Sequence, residues 1–141
     1  VRRERILNIT NRLIEEFGTR DPVEIAGCLG IKIREKPLPG GIAGLVAEVF
    51  GINYILLHYD LPAPDKHYIV AHEIFHYLDG HPDYVFLRGW MLKTGYEVES
   101  DLFAASLLIS EEPELGETVM QYACRTGIPV KLVRLWFRKV A

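Results

Sequence analysis

AHEIFHYLDG, residues 71–80, sets two histidines four residues apart with a glutamate directly after the first. From Asp65 to Asp79 no glycine or proline interrupts the chain, Pro64 precedes the run and Gly80 closes it, so the stretch is predicted to lie well inside a helix. His72 and His76 then stand one helical turn apart. Both imidazoles project from one face toward a common point about 2 Å beyond each ring nitrogen, a geometry that suits zinc. Glu73 is rotated about 100° around the helix from His72, which places it as a base holding a water rather than as a ligand. Bound zinc lowers the pKa of its water to about 7, and a neighbouring carboxylate takes the proton as that water attacks a polarised carbonyl, then returns it to the leaving amine.

A shuffled chain of this composition would show H-E-x-x-H roughly once or twice in a hundred trials, so the motif needs support. A catalytic zinc typically takes three protein ligands and leaves one position for water. YEVESDLFAASLL, residues 96–108, supplies the missing carboxylate on what reads as the next long helix. Glu97 and Asp101 are four apart and share a face. Glu97 is assigned as the third ligand, and Asp101 as the group that accepts the other N–H of a ligand histidine and orients its ring. Glu99 lies about 200° around from Glu97 and is expected to face away. Ala104 and Ala105 would let the two helices approach closely. Taken singly, the histidines could be a solvated stripe and the carboxylates a charged surface face; their placement in consecutive helices favours a metal site.

Outward from this pair, the elements read as α+β. Ile6, Ile9, Leu13 and Phe17 recur at helical spacing and Gly18 follows. Asp21 is an N-cap, with Pro22 at the first helical position and Gly30 as the stop of a short helix. The segment from Ile31 to Lys36 alternates like a strand, and two apolar runs, Leu45 to Phe50 and Ile52 to His58, are joined across Gly51 as a hairpin. The expectation is N-terminal helices, a small three-stranded antiparallel sheet, a zincin-like active-site helix, and C-terminal helices near 97–109, 114–125 and 130–140. At 141 residues the chain is expected to form a single domain over 1–141.

Composition narrows the function classes. Hydrophobic residues make up 49% and charged residues 25%, an ordinary globular mixture, and the net charge of −3 argues against coating nucleic acid or an anionic membrane. The most apolar stretch, Gly41 to Tyr59, is broken well short of the ~20 residues a spanning helix needs. Cys28 and Cys124 lie in no metal-ligand spacing and are read as buried packing thiols of a cytoplasmic protein.

These segments resemble the ImmA/IrrE family of zinc metallopeptidases, intracellular proteins associated with mobile elements and stress responses. The resemblance covers most of the chain and is carried by residues 21–33, 54–62, 71–78 and 97–108. It implies that His72, His76 and Glu97 are the metal ligands and Glu73 the catalytic glutamate. The EVESD segment is also similar to that of thermolysin-like enzymes, in which the aspartate supports a ligand histidine. Two features depart from the pattern. Phe75 stands where the family commonly has a small glycine, and Ser100-Asp101 and LLIS stand where it tends to have Ala-Asn and Leu-Leu-Met-Pro. Members of the family are implicated in cleaving a partner transcriptional repressor, so the implied substrate is a protein.

An extended substrate could pair with an exposed edge of the strand near Ile52 to His58, the alternative being a simple core hairpin whose edge is covered by a loop. For the oxyanion donor the sequence leaves His81, Tyr96, Tyr77 and His67 open, with His81 first, while His58 reads as a strand-end residue. The rival reading is DNA binding: Ala123, Gly127 and Val133 have helix-turn-helix spacing, and residues 117–141 hold five basic residues against one acidic. A third reading is a metal-dependent sensor that binds zinc without turnover.

Overall fold

The computed structural model describes residues 2–79, 85–87 and 95–138, and for 85–87 and 95–97 the course of the backbone alone. Helix α1 (Arg2–Phe17) turns at Gly18 into α2 (Pro22–Cys28), where the Asp21 carboxylate accepts from the Val23 N–H at 2.9 Å and Pro22 occupies the first turn. Strands β1 (Lys32–Lys36), β2 (Ile42–Val49) and β3 (Ile52–His58) follow, then α3 (Ala63–Leu78), the short strand β4 (Val85–Leu87), and helices α4 (Gly95–Leu108), α5 (Val119–Thr126) and α6 (Val130–Phe137).

The α+β class holds, but the sheet differs from the expected antiparallel trio. It has four strands in the order β1-β3-β2-β4, with β1 parallel to β3 and the other pairs antiparallel. The segment 37–41 carries the chain past the position that β3 later fills, so β3 returns between β1 and β2 and runs in the direction of β1. Alternation along a strand reports which face is buried and carries no information on strand order. One consequence corrects the docking expectation: β3 is hydrogen-bonded along both sides, from Lys32↔Tyr54 to Lys36↔His58 and from Gly44↔Leu57 to Val49↔Ile52, and offers no free edge. The hairpin itself forms as read. Phe50 (φ +49°) and Gly51 (φ +78°) make a two-residue turn of the type that follows the strand twist.

Helix α3 lies at the centre. Nine consecutive residues, Tyr68 to His76, are buried, which requires neighbours on every side of the helix rather than on one stripe. The sheet supplies one side, and Gly44 lets it come close: a Cβ there would stand 3.1 Å from Ile69 Cγ2 and 3.2 Å from the Leu56 carbonyl oxygen. Helix α2 packs on another side and α4 on the far one, where the Phe75 and Phe103 rings meet at 5.5 Å. The bulk of Phe75 is therefore absorbed at the α3–α4 contact, while the fully buried Ala104 and Ala105 keep α4 slim. Helix α4 in turn carries α1, through a hydrogen bond between the Thr10 and Ser106 hydroxyls, and α6, whose Leu132 and Val133 are buried.

Helix α5 begins at Val119, later than expected. Thr118 accepts from the Gln121 N–H at 3.1 Å and the Gln121 side chain accepts from the Thr118 N–H at 2.9 Å, a reciprocal cap that fixes the start. Among the described residues no helix is long and apolar enough to cross a membrane.

Candidate metal centre

The motif histidines are not a solvated stripe: His72 is 0% and His76 4% exposed, and Glu73 beside them is 2% exposed. Their position one turn apart on the most enclosed part of α3 brings His72 Nε2 and His76 Nε2 to 3.1 Å. Tyr68, one turn before His72, and Asp101, from α4, complete the buried side of the cluster. Asp101 Oδ1 lies 3.1 Å from His72 Nδ1 and accepts from the Tyr68 hydroxyl at 2.6 Å. Lys131, from the first turn of α6, places its ammonium 3.4 Å from Asp101 Oδ2 and 5.0 Å from the centre of the Tyr68 ring.

This arrangement fixes the tautomer of His72. Burial acts to raise the Asp101 pKa, but the hydrogen bonds from His72 and Tyr68, with Lys131 nearby, outweigh it and hold the carboxyl below its ordinary value. An ionised carboxylate only accepts, so His72 Nδ1 carries a proton and Nε2 is the nitrogen turned toward His76. Two ring nitrogens 3.1 Å apart come close to the ~3.3 Å edge of a tetrahedron with metal–nitrogen bonds of about 2.0–2.1 Å. The pair therefore fits a tetrahedral metal ion with histidine ligands, oriented from behind by a carboxylate in the usual way.

The carboxylates of α4 divide between two surroundings. Glu99 faces α1, where Arg5 donates to it at 2.7 Å and Arg2 stands at 4.0 Å; Arg5 also reaches Asp79 at 2.9 Å, just past the end of α3. Glu97 lies one turn before Asp101 on the α4 backbone, and its side chain is outside the described residues. Among the described residues no group of three or more histidines, cysteines, aspartates or glutamates gathers at one point.

Three residues at the cluster escaped sequence reasoning. Ser100 is fully buried with its Oγ 2.8 Å from His76 Nε2, and only its place beside Asp101 could have pointed to it. Tyr68 had a usable signal, since it precedes His72 by one turn on the same face. Lys131 had none, because α6 is brought to α3 by packing on α4.

Of the residues weighed as oxyanion donors, His81 lies outside the described residues, as does the side chain of Tyr96. His67 and Tyr77 are exposed on α3, outside the buried cluster. His58 ends β3 and pairs with Asp60 at 2.7 Å, as a strand-end residue. The two cysteines correct an expectation: both are exposed, Cys28 as the last residue of α2 and Cys124 just after the buried Tyr122 and Ala123 of α5.

Residues 26–121 match the family model Peptidase_M78, described as the IrrE N-terminal-like domain. The chain belongs to this family. No curated protein is matched. The IrrE N-terminal-like match is to a peptidase family of generally metallopeptidase-like character, and it spans α3 and α4 together with strands β1 to β4. It ends inside α5, so α6 and its Lys131 lie beyond the matched region.

The α5–α6 pair bears on the DNA-binding alternative. Arg125 is engaged by Glu117 at 2.7 and 2.8 Å and by Glu111 at 3.0 Å, with Glu114 at 4.0 Å. Extending the basic segment back to residue 111 brings in Glu111, Glu112 and Glu114, which leaves five basic residues against four acidic. The hairpin also packs inward, with Leu132 and Val133 buried.

Proposed function

We propose that the chain is a single-domain zinc-dependent endopeptidase of the cytoplasm, with His72, His76 and Glu97 as metal ligands, Glu73 as the catalytic base and Asp101 as the group that orients His72. The observation that carries this reading is the buried pair of histidine nitrogens at 3.1 Å with Asp101 behind one of them, on a chain of a peptidase family. Bound zinc supplies Lewis-acid polarisation of the scissile carbonyl and acidifies the attacking water.

The protein's own groups do the rest. Asp101 accepts the Nδ1 proton of His72 and so turns its Nε2 toward the metal position; Tyr68 and Lys131 keep Asp101 ionised and in place. Glu73 takes the proton of the attacking water and delivers it to the leaving amine. The substrate is a protein, and by the family resemblance a transcriptional repressor or other regulator, which fits a role in transcription regulation on a mobile element. With β3 enclosed, the edge strands available to an extended substrate among the described residues are β1 and β4.

The DNA-binding alternative is weaker, because the Arg125 charge is taken up by glutamates and the hairpin is part of the core. A sensor that keeps zinc without turnover is separated from an enzyme by Glu73. The zinc-loaded protein is incubated with a proteome-derived peptide library and new termini are read by mass spectrometry. Cleavage by the parent, lost in Glu73→Gln with zinc content unchanged, is the expected outcome. Absence of cleavage by the parent, or cleavage that survives the substitution, contradicts the enzyme reading.

A further inference from the structure

We infer that Ser100 holds down the metal affinity of the centre by engaging the ring nitrogen through which His76 would bind zinc. The inference rests on the metal reading above and deepens it. Ser100 is fully buried on α4, and its Oγ lies 2.8 Å from His76 Nε2, well within hydrogen-bond distance. That nitrogen is also the atom 3.1 Å from His72 Nε2, so the hydroxyl meets His76 at the coordinating position rather than behind the ring.

The contrast with Asp101 defines the effect. Asp101 engages His72 at Nδ1, the nitrogen that does not coordinate, and its hydrogen bond persists when a metal binds Nε2. Ser100 engages His76 at the lone pair itself. If His76 Nε2 is bare, the hydroxyl donates to it and must let go when the lone pair is given to a metal. If Nε2 carries a proton, the Ser100 hydroxyl at 2.8 Å and His72 Nε2 at 3.1 Å are the acceptors within its reach, and metal binding removes that proton and the bond with it. In either tautomer the contact stabilises the protein without metal and is lost in the protein with metal. Ser100 is thus a positioning residue whose hydrogen bond opposes zinc uptake.

The test is Ser100→Ala, with zinc affinity measured by competition against a chromophoric chelator. Zinc binding is expected to tighten about three- to tenfold, the factor that one net hydrogen bond represents. In the metal-free protein, ¹⁵N spectra of the imidazoles are expected to show the His76 Nε2 resonance shifted and the His72 Nδ1 resonance unmoved, a selectivity that a general loosening of the core would not give. Zinc binding by the parent with equal or weaker affinity in the variant overturns the inference alone, as does an unmoved His76 Nε2 resonance. Failure of the parent to bind zinc overturns the metal reading and the inference together.

Discussion

His72 Nδ1 and Asp101 Oδ1 stand 3.1 Å apart across the α3–α4 contact, both groups buried, so the orientation of the first histidine of the motif is set by the neighbouring helix. Substitution Asp101→Asn keeps the size of the side chain but removes its charge and one of its accepting oxygens. Orienting partners of this kind are worth about 10–100-fold in metal affinity. A zinc titration of Asp101→Asn is expected to show weakening in that range, and an unchanged affinity would mean that His72 is held without it.

Tyr68 donates to the same Asp101 oxygen at 2.6 Å, and both groups are buried. Hydrogen bonds to charged groups contribute about 1.5–3 kcal/mol net, so Tyr68→Phe should lower the unfolding free energy of the metal-free protein by that order. Urea denaturation gives the value directly, and a loss below about 0.5 kcal/mol would be that of a weak, solvent-compensated contact.

Gly44 marks a close approach of the sheet to α3. In Gly44→Ala the new methyl meets Ile69 Cγ2 and a backbone carbonyl, one of which cannot move without the strand. A cost of about 1–3 kcal/mol is expected from overpacking, with a lowered denaturation midpoint. Phe50 offers the opposite case: it holds φ +49° while fully exposed, where asparagine tolerates the backbone better. Phe50→Asn should raise stability by about 0.5–1 kcal/mol, and a fall would show that the ring packs in the folded protein.

The Arg125 cluster predicts a pH dependence of known sign. Hydrogen bonds from Arg125, then the Glu114 N–H, outweigh burial and hold the Glu117 carboxyl down to about 2, against an ordinary value of 4.5. Because the folded value is depressed, the contribution of Glu117 to stability is fully present above pH 4.5 and fades as pH falls toward about 2. Parent and Glu117→Gln should therefore differ in thermal midpoint at pH 6 and converge as acid is added toward pH 2. A difference that grows on acidification would contradict the assignment.

The parts of the structure written locally were legible in the sequence. Two histidines at one-turn spacing in an uninterrupted run had to share a helix face, and Asp21, Pro22 and Gly51 fixed a cap and a turn by their own backbone chemistry. On α4, Glu99 and Asp101 point in different directions and meet Arg5 and His72 respectively, while the side chain of Glu97, from which Glu99 was expected to face away, lies outside the described residues. What was not legible depends on segments distant along the chain. Strand order is decided by how the loop 37–41 crosses the sheet, and Lys131 reaches Asp101 from α6 by way of α4. The exposure of Cys28 and Cys124 likewise follows from which helix faces other elements cover, and the chemistry of cysteine alone suggested the reverse.

The most direct test is zinc stoichiometry by elemental analysis of the purified chain after zinc supplementation, beside Glu97→Ala and Glu99→Ala. Near one zinc per chain in the parent and in Glu99→Ala, with little in Glu97→Ala, is the result expected of a centre built from His72, His76 and Glu97. Retention of zinc by Glu97→Ala, or a parent chain that holds none, would contradict it.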